Sequence, residues 1–197
     1  RKMLTLQDVI DDVGVDATRF WMVSRSADTA LDFDVALAKS ATNENPVYYA
    51  QYAHARCCSI LRNAVSPTPS ESEPNPTAFI TADELSKLEH NASLETLSPL
   101  FDSLDRTERS FEQLKALVFR LDSFEDVVLD AANTCSPHII ARYVLDLAAD
   151  FHSFYNVCRI LTDDSAVTHS RLALIIALRK TLAQALDLLG VSAPESM

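Results

Sequence analysis

Between residues 152 and 159 the sequence carries a group of side chains suited to contacting RNA bases. His152, Tyr155, Asn156 and Arg159 follow one another at spacings of 3, 1 and 3, which places them on one face of a helix. An aromatic ring can stack on an unstacked base, an amide can hydrogen-bond a base edge, and a guanidinium can bind phosphate or stack. The alternative interpretation is that the tyrosine packs in the core and that the histidine and arginine keep the helix soluble.

A second group of similar composition lies earlier in the chain. Tyr48, Tyr52, Arg56 and Ser59 recur at spacings of 4, 4 and 3, and His54 stands nearby on the turn. These residues also fit a helical face, so they allow the same two interpretations: an RNA-contacting surface, or packed tyrosines beside solvating cations. Residue types and spacing do not decide between them.

Residue types that would carry catalysis are not arranged for it in this sequence. With only Gly14 and Gly190, the chain has neither a glycine-rich phosphate loop nor a Gly-x-Ser-x-Gly nucleophile turn. The adjacent acid pairs are interpreted as solvated surface charges, and the five histidines contain no i, i+4 pair that would predict a metal site. The four cysteines lack metal or redox spacing and are predicted to be reduced thiols. These observations favour a binding module over a complete enzyme.

The elements that must position the candidate side chains are predicted to be helices. Of the 197 residues, 48% are hydrophobic and 23% are charged, the proportions of a folded globular protein. Two glycines leave little scope for tight turns or sheets. No apolar run approaches the roughly 20 residues needed to cross a membrane. The expected fold class is all-α, a bundle of at least four long helices.

Start and stop signals predict the individual helices. Thr5 is expected to cap the first helix, which ends at Gly14, and Asp16 is expected to cap the second. Asp34 is predicted to cap a third helix that continues towards Asn45. Later helices are predicted at 47–62, 82–90, 94–121 (interrupted at Pro99), 123–132 and 167–189. The last of these is expected to bury Leu172, Ile175, Leu182, Leu186 and Leu189.

Ser136-Pro137 opens the helix with the clearest apolar pattern. Apolar residues recur there at alternating spacings of 4 and 3, namely Ile140, Val144, Leu147, Phe151, Phe154, Cys158 and Leu161. The continuous seam predicts a helix that packs lengthwise against others as far as residue 161. Earlier in the chain, Thr81 to Glu84 reads as a capping box, and a linker rich in proline and serine is expected near 66–77.

The net charge of −11 is unusual for a nucleic-acid binder, because such proteins mostly carry a basic surface. The negative charge is concentrated in residues 66–133, which hold 14 acidic and 5 basic residues. The flanking segments are close to neutral, so arginine and histidine clusters there remain able to meet phosphates. The acidic segment is expected to face away from any RNA.

Five segments of the sequence match the pattern of one enzyme family, in that family's order. Asn43–Arg56 fits the segment Asn-Pro-x-x-Tyr-x-Gln-Tyr-Ala-His-x-Arg, and Phe151–Arg159 fits Phe-His-x-Phe-Tyr-Asn-x-Cys-Arg. Val13–Phe20 and Leu31–Asp34 match the pattern just upstream, and Leu188–Met197 is close to the usual finish in Pro-Glu-Arg-Met. These segments bracket almost the whole chain. The family that they resemble is the bacterial arginyl-tRNA synthetases.

This resemblance implies an organisation in two parts. Residues 1–35 would be the C-terminal end of a class I catalytic domain, and residues 36–197 the α-helical anticodon-binding domain named for an Asp-Ala-Leu-Arg signature. The residues carried over from the family's motifs as tRNA contacts are Tyr52, Tyr155, Asn156, Arg159 and Met197. Secondary tRNA contacts are expected from Tyr48, Arg56 and His152. Ser196 departs from the family's usual arginine, which removes a cation beside the terminal methionine.

The parent enzyme implied by the resemblance joins arginine to tRNA(Arg) and consumes ATP with Mg²⁺. Neither the His-Ile-Gly-His-like nor the Lys-Met-Ser-Lys-Ser-like motif of class I synthetases is complete here. This C-terminal fragment is therefore expected to be inactive alone and to hold no cofactor. Its expected partner is tRNA(Arg), in the cytoplasm, with the chain a monomer and not membrane-bound. The alternative function is a helical module that binds a protein partner.

Overall fold

The computed structural model describes residues 5–66, 77–91, 94–104 and 109–197, and these residues form ten helices without a strand. The helices are α1 (Leu6–Val13), α2 (Val15–Val23), α3 (Val35–Lys39), α4 (Pro46–Val65), α5 (Ala82–Asn91), α6 (Leu94–Asp102), α7 (Arg109–Asp122), α8 (Phe124–Asn133), α9 (His138–Val157) and α10 (Ser165–Leu188). The all-α class predicted from the sequence is confirmed for this part of the chain.

Most of the linker expected near 66–77 falls on residues that the structure does not describe. Within the described ranges, no helix combines the length and the apolar character that a bilayer span requires.

Helix α10 forms the centre of the bundle. It packs against α4, α5, α6, α7 and α9, and its buried side chains are distributed around the helix instead of along one face. The residues predicted for its inner side are all buried, namely Leu172, Ile175, Leu182, Leu186 and Leu189. Because each such side chain stabilises the fold by about 1.5–3 kcal/mol when buried, α10 anchors the core.

Helices α4 and α9 are the two long helices that pack beside α10 and against each other. The predicted seam of α9 is buried from Ile140 to Phe154. Helix α4 buries small residues such as Ala50, Ala53 and Ala64, and small side chains let neighbouring helices approach closely. The three helices therefore form a rigid support for the side chains that α4 and α9 direct outward.

The predicted helix starts agree with the structure at three places. Thr5 and Asp8 form a reciprocal capping box at α1, and the Asp34 carboxylate caps α3. At α5 the carboxylate of Glu84 accepts from the backbone N–H of Thr81, while the Thr81 hydroxyl accepts from the N–H of Glu84. Each bond satisfies a backbone donor that the first turn of a helix would otherwise leave unpaired.

The prediction that Asp16 caps α2 is wrong. Helix α2 begins at Val15, directly after Gly14, and no side chain caps it. Asp16 lies inside the first turn, where its carboxylate accepts hydrogen bonds from Gln51 and Ser192. The Asp16 carboxylate therefore binds side chains from distant parts of the chain instead of capping its own helix.

The segment predicted as helical over 94–121 forms two helices, α6 and α7, and Pro99 lies inside α6. Helices α3 and α9 end earlier than the sequence predicts. Helix α3 stops at Lys39, and the chain becomes helical again at Pro46, which occupies the first turn of α4. Helix α9 stops at Val157, because Cys158 adopts an extended backbone with φ −126° and ψ 115°. Cys158 is nevertheless buried, so the apolar spacing continues after the helix has ended.

The central packing generates a test of stability. Leu147 of α9 is fully buried, whereas Leu188 at the end of α10 is 54% exposed. We expect Leu147→Ala to lower the unfolding free energy by about 2–5 kcal/mol, because it removes buried methyl groups and leaves a cavity. Leu188→Ala is the matched control and should change it by less than about 0.5 kcal/mol. Urea unfolding followed by circular dichroism measures both; similar losses would contradict the packing described here.

Candidate nucleic-acid interface

Aromatic side chains of α4 and α9 stack in a ladder. Tyr48 and Tyr52 have ring centroids 6.1 Å apart and planes inclined by 10°. Tyr52 also stacks on His152 of α9, with centroids 5.7 Å apart and planes inclined by 25°. We call Tyr48, Tyr52 and His152 the aromatic ladder. The i, i+4 spacing aligns the two tyrosines, and the packing of α4 against α9 adds the histidine.

Arg56 joins α4 to Tyr155 of α9. Its Nη2 donates a hydrogen bond to the Tyr155 hydroxyl at 3.0 Å, and its guanidinium carbon lies 4.8 Å from the centroid of the same ring. Both side chains are half-buried. A cation–π contact of this kind contributes about 0.5–1 kcal/mol at an exposed site and more when it is desolvated. The two groups of residues predicted from the sequence therefore meet in one surface.

Next to Tyr155 the surface opens into a recess of about 630 Å³, which we call the first recess. Its lining includes Tyr155, Asn156 and Arg159, all predicted from the sequence, together with Asn63 and Phe79. Asn156 and Arg159 are exposed. An amide and a guanidinium can therefore reach a ligand that enters this recess.

Arg159 enters the first recess from a turn. Because α9 ends at Val157, the prediction that Arg159 shares a helical face with His152 and Tyr155 is wrong. The buried guanidinium of Arg171, in α10, donates to the backbone carbonyl of Arg159. This long-range bond holds the backbone of the turn while the Arg159 side chain faces solvent.

On the other side of Arg56 lies a smaller recess of about 220 Å³, which we call the second recess. Tyr52, Arg56 and Arg62 of α4 contribute to its lining, and so do Ser196 and Met197 at the C-terminus. The Met197 side chain is 56% exposed, so it offers an apolar surface at the rim. The fold thus brings the last residue of the chain beside the aromatic ladder.

The imidazole of His152 is packed among aromatic rings. Its ring centroid lies 5.0 Å from that of Tyr49 and 5.3 Å from that of Phe151. Its Nε2 atom is buried and has no hydrogen-bond partner in the described part of the chain. Burial lowers the pKa of His152 below its ordinary value of 6.5, and the positive charge of Arg56 lowers it further. The ring is therefore neutral at neutral pH and supports Tyr52 as an uncharged platform.

Sequence reasoning did not identify the residues that hold the C-terminal tail, residues 190–197. Gln51 donates to the carbonyl of Ser192 at 3.0 Å, and the Nδ1 of His54 lies 2.9 Å from the carbonyl oxygen of Pro194. Because these partners are distant in sequence, spacing carries no signal for them. The one available signal was that Gln51 and His54 lie within the family-like segment 43–56.

The assembled surface has the chemistry of a recognition site for single-stranded nucleic acid. It presents aromatic rings for stacking, an amide for base edges, and the arginines of the two recesses for phosphates. Among the described residues, no group of three or more His, Cys, Asp or Glu side chains is placed to hold a metal ion.

Comparison with known families decides what kind of domain carries this surface. The DALR anticodon binding domain matches residues 50–197, which is most of the chain. This chain belongs to that family. The matched residues include α9, α10 and the C-terminal tail, so the lining of both recesses lies within the anticodon-binding domain, and only Tyr48 of the ladder precedes it.

Curated relatives of this anticodon-binding domain are named arginine–tRNA ligase. The protein from Azoarcus sp. (strain BH72) is 46% identical over 196 residues, a match that covers 100% of this chain and 28% of the relative. The protein from Oceanobacillus iheyensis is 41% identical over 197 residues, covering 100% of this chain and 30% of the relative. The chain thus spans less than a third of the length of these relatives.

Two solved structures resemble the domain in fold. The arginyl-tRNA synthetase of Thermus thermophilus matches with a TM-score of 0.64 and 32% identity, over 94% of this chain and 27% of that chain. A crystal structure of a protein from Campylobacter jejuni matches with a TM-score of 0.71 and 26% identity, over 100% of this chain and 37% of that chain. The helical bundle and the family resemblance predicted from the sequence are both confirmed.

The burial of His152 predicts a pH dependence of stability. The unfolded chain binds the His152 proton more tightly than the folded domain does, so the unfolding free energy should fall as pH decreases from about 6.5 towards the lowered folded pKa. His152→Phe should remove this contribution, whereas His90→Phe, at an exposed position on α5, should retain it. Urea unfolding at several pH values tests this. Parallel pH profiles for the wild type and His152→Phe would contradict the neutral, buried state.

Proposed function

We propose that this chain binds the anticodon end of tRNA(Arg) as part of an arginine–tRNA ligase. The family match and the names of the relatives support this function. The observation that carries it is the contact between Arg56 and Tyr155, which joins the aromatic ladder and the two recesses into one surface. Bases that are splayed out of a stacked loop need such a surface, because proteins recognise them by stacking and by hydrogen bonds to their edges.

In this proposal each recess receives part of the unstacked anticodon loop. Tyr52 and Tyr155 pack against bases beside the second and the first recess respectively. Asn156 and Arg159 contact base edges or the RNA backbone, and Met197 adds an apolar contact. The secondary contacts are Tyr48, Arg56 and His152.

The local distribution of charge supports binding of an anion by a chain with a net charge of −11. Arg159 lines the first recess, and Arg56 and Arg62 line the second recess together with a single carboxylate, that of Glu195. The acidic helix α8 packs on the other end of α9, where Phe124 contacts Tyr143. With a rise of about 1.5 Å per residue, Tyr143 is about 18 Å along the helix from Tyr155. RNA bound at the recesses would therefore lie on the side away from α8.

The same proposal assigns this chain its place in a longer enzyme. Residues 1–35 would belong to the end of the catalytic domain and residues 36–197 to the anticodon-binding domain. Arginine, ATP and Mg²⁺ would be bound by the remainder of the enzyme, in the cytoplasm, because the class I nucleotide-binding motifs are not complete in this sequence. Alone, the chain would bind RNA as a monomer without activating arginine.

Substitution of Tyr155 tests the RNA site directly. We expect Tyr155→Ala to weaken binding of a tRNA(Arg) anticodon stem-loop by about tenfold, because loss of one base–aromatic stack costs about 1–3 kcal/mol. Phe119→Ala is the matched control, since Phe119 is an aromatic residue that is 62% exposed on α7 and lines neither recess. Fluorescence anisotropy measures the affinities, with a stem-loop of a different anticodon as competitor. Equal affinities of the wild type and Tyr155→Ala would contradict the proposed site.

The salt dependence of the same interaction separates RNA binding from binding of a protein partner. If Arg159 contacts a phosphate, Arg159→Ala should reduce the slope of log Kobs against log salt by about 1. Arg25→Ala removes an exposed arginine that lines neither recess and should leave the slope unchanged. An unaltered slope in Arg159→Ala would exclude a phosphate contact. Salt-independent binding by the wild type would favour the protein-binding alternative.

A further inference from the structure

The C-terminal tail leaves α10 through a turn that requires a glycine. The N–H of Val191 donates to the carbonyl of Leu186 at 2.9 Å, and the N–H of Gly190 donates to that of Asp187 at 2.8 Å, the pattern of a Schellman turn. Gly190 has a φ of +65°, and a Cβ built there would lie 2.6 Å from Nη1 of Arg19. A side chain at this position is therefore disfavoured both by the backbone and by the approach of Arg19.

Helix α2 holds the first part of the tail. The guanidinium of Arg19 donates to the carbonyl of Gly190. The carboxylate of Asp16 accepts from the Ser192 hydroxyl and from Nε2 of Gln51, the latter at 2.9 Å. Asp16 therefore links the tail to α2 and to α4 at a single carboxylate.

Helix α4 holds the next part of the tail, and successive residues of the tail contact successive positions along α4. Nε2 of Gln51 also donates to the carbonyl of Ser192 at 3.0 Å. Further along the helix, Nδ1 of His54 lies 2.9 Å from the carbonyl of Pro194, and this nitrogen must carry the proton because a carbonyl oxygen only accepts. The tail then reaches the second recess, whose lining includes Met197, Tyr52 and Arg56.

We propose that Asp16, Arg19, Gln51 and His54 form a tail clamp that positions Met197 in the second recess. Helix α2 thereby takes part in RNA binding without contacting RNA. The effect of the clamp on RNA binding rests on the proposed function of the second recess. Its effect on the position of Met197 does not depend on that function. Residues 190–197 form no helix or strand, and such a segment is mobile unless other side chains hold it. Ordering Met197 in advance therefore lowers the entropy lost when the ligand binds.

The position of Met197 can be measured without RNA. The chain contains three methionines, Met3, Met22 and Met197, and methyl-13C labelling with Met197→Leu identifies the Met197 signal. In the wild type this signal should be displaced from the shift of a mobile methionine. In Asp16→Ala and in Ser192→Ala it should move towards that shift. Ser192 is exposed on the tail, so its substitution tests the clamp even where Asp16→Ala destabilises the bundle.

The matched control for the lost charge is Asp11→Ala. Asp11 is exposed on α1 and accepts a bond only from Gln7 among the described residues. Its substitution should leave the Met197 signal in place. Asp16→Asn keeps one acceptor oxygen and should give an intermediate shift. A Met197 signal that is identical in the wild type, Asp16→Ala and Ser192→Ala would overturn the clamp.

RNA affinity supplies a second readout, because loss of charge and loss of the clamp change the affinity in opposite directions. Removing a negative charge favours RNA binding by simple electrostatics, so Asp11→Ala should bind the anticodon stem-loop as well as the wild type or better. Asp16→Ala should instead bind about fivefold more weakly, as expected for the loss of one or two hydrogen bonds that order a contact residue. Tighter binding by Asp16→Ala would contradict the coupling of the clamp to the recess.

A double-mutant cycle assigns the effect to Met197. In a chain that lacks Met197, Asp16→Ala should cause no further loss of affinity, because the clamp then has no contact residue to position. An undiminished loss in that background would overturn the proposed route through the tail. If the wild type does not bind the stem-loop at all, the proposed function fails, while the Met197 signal still decides whether the clamp exists.

Discussion

Helix α10 is buried along most of its length and around most of its circumference. The two irregular segments of the candidate site lie directly before and directly after this helix. Before α10, the turn at residues 158–164 is held by Arg171 and by Thr168, whose hydroxyl donates to the carbonyl of Thr162 at 2.9 Å. After α10, the tail starts from the turn at Gly190. Because a closely packed helix can neither rotate nor slide without opening cavities, its position sets where both segments leave the core.

The proposed recognition residues are supported in different ways by this frame. Tyr48, Tyr52 and Tyr155 project from helices α4 and α9, so helical spacing aligns them. Arg159 and Met197 lie on segments without regular structure, whose backbone carbonyls contact side chains of α10 and α4. The site therefore combines stacking surfaces on rigid helices with contact residues on short irregular segments. Many binding sites are built in this way, with loops positioned by a rigid scaffold.

Charge acts locally in this domain. The screening length at physiological ionic strength is about 8 Å, shorter than the distance of about 18 Å along α9 between Tyr155 and the residue that α8 contacts. The acidic residues of α8 therefore have little influence on a ligand at the recesses. Burial keeps the His152 ring neutral. This matters for Arg56, because a positively charged imidazole would repel the Arg56 guanidinium and weaken its contact with Tyr155.

The helical class, the apolar seams of α9 and α10 and the caps at Thr5 and Asp34 were determined by the sequence itself, because they depend on residues three or four positions apart. The residues of the ladder were also recognisable from spacing and from family resemblance, as were Tyr155, Asn156, Arg159 and Met197 of the recesses, whereas Asn63, Phe79 and Arg62 were not. Only the tertiary structure decided the role of Asp16 and the end of α9 before Arg159. It also decided that Arg56 contacts Tyr155 and so joins the candidate residues of α4 to those of α9. These features depend on hydrogen bonds and contacts between distant segments, and a local pattern of residues does not encode which distant partners will meet.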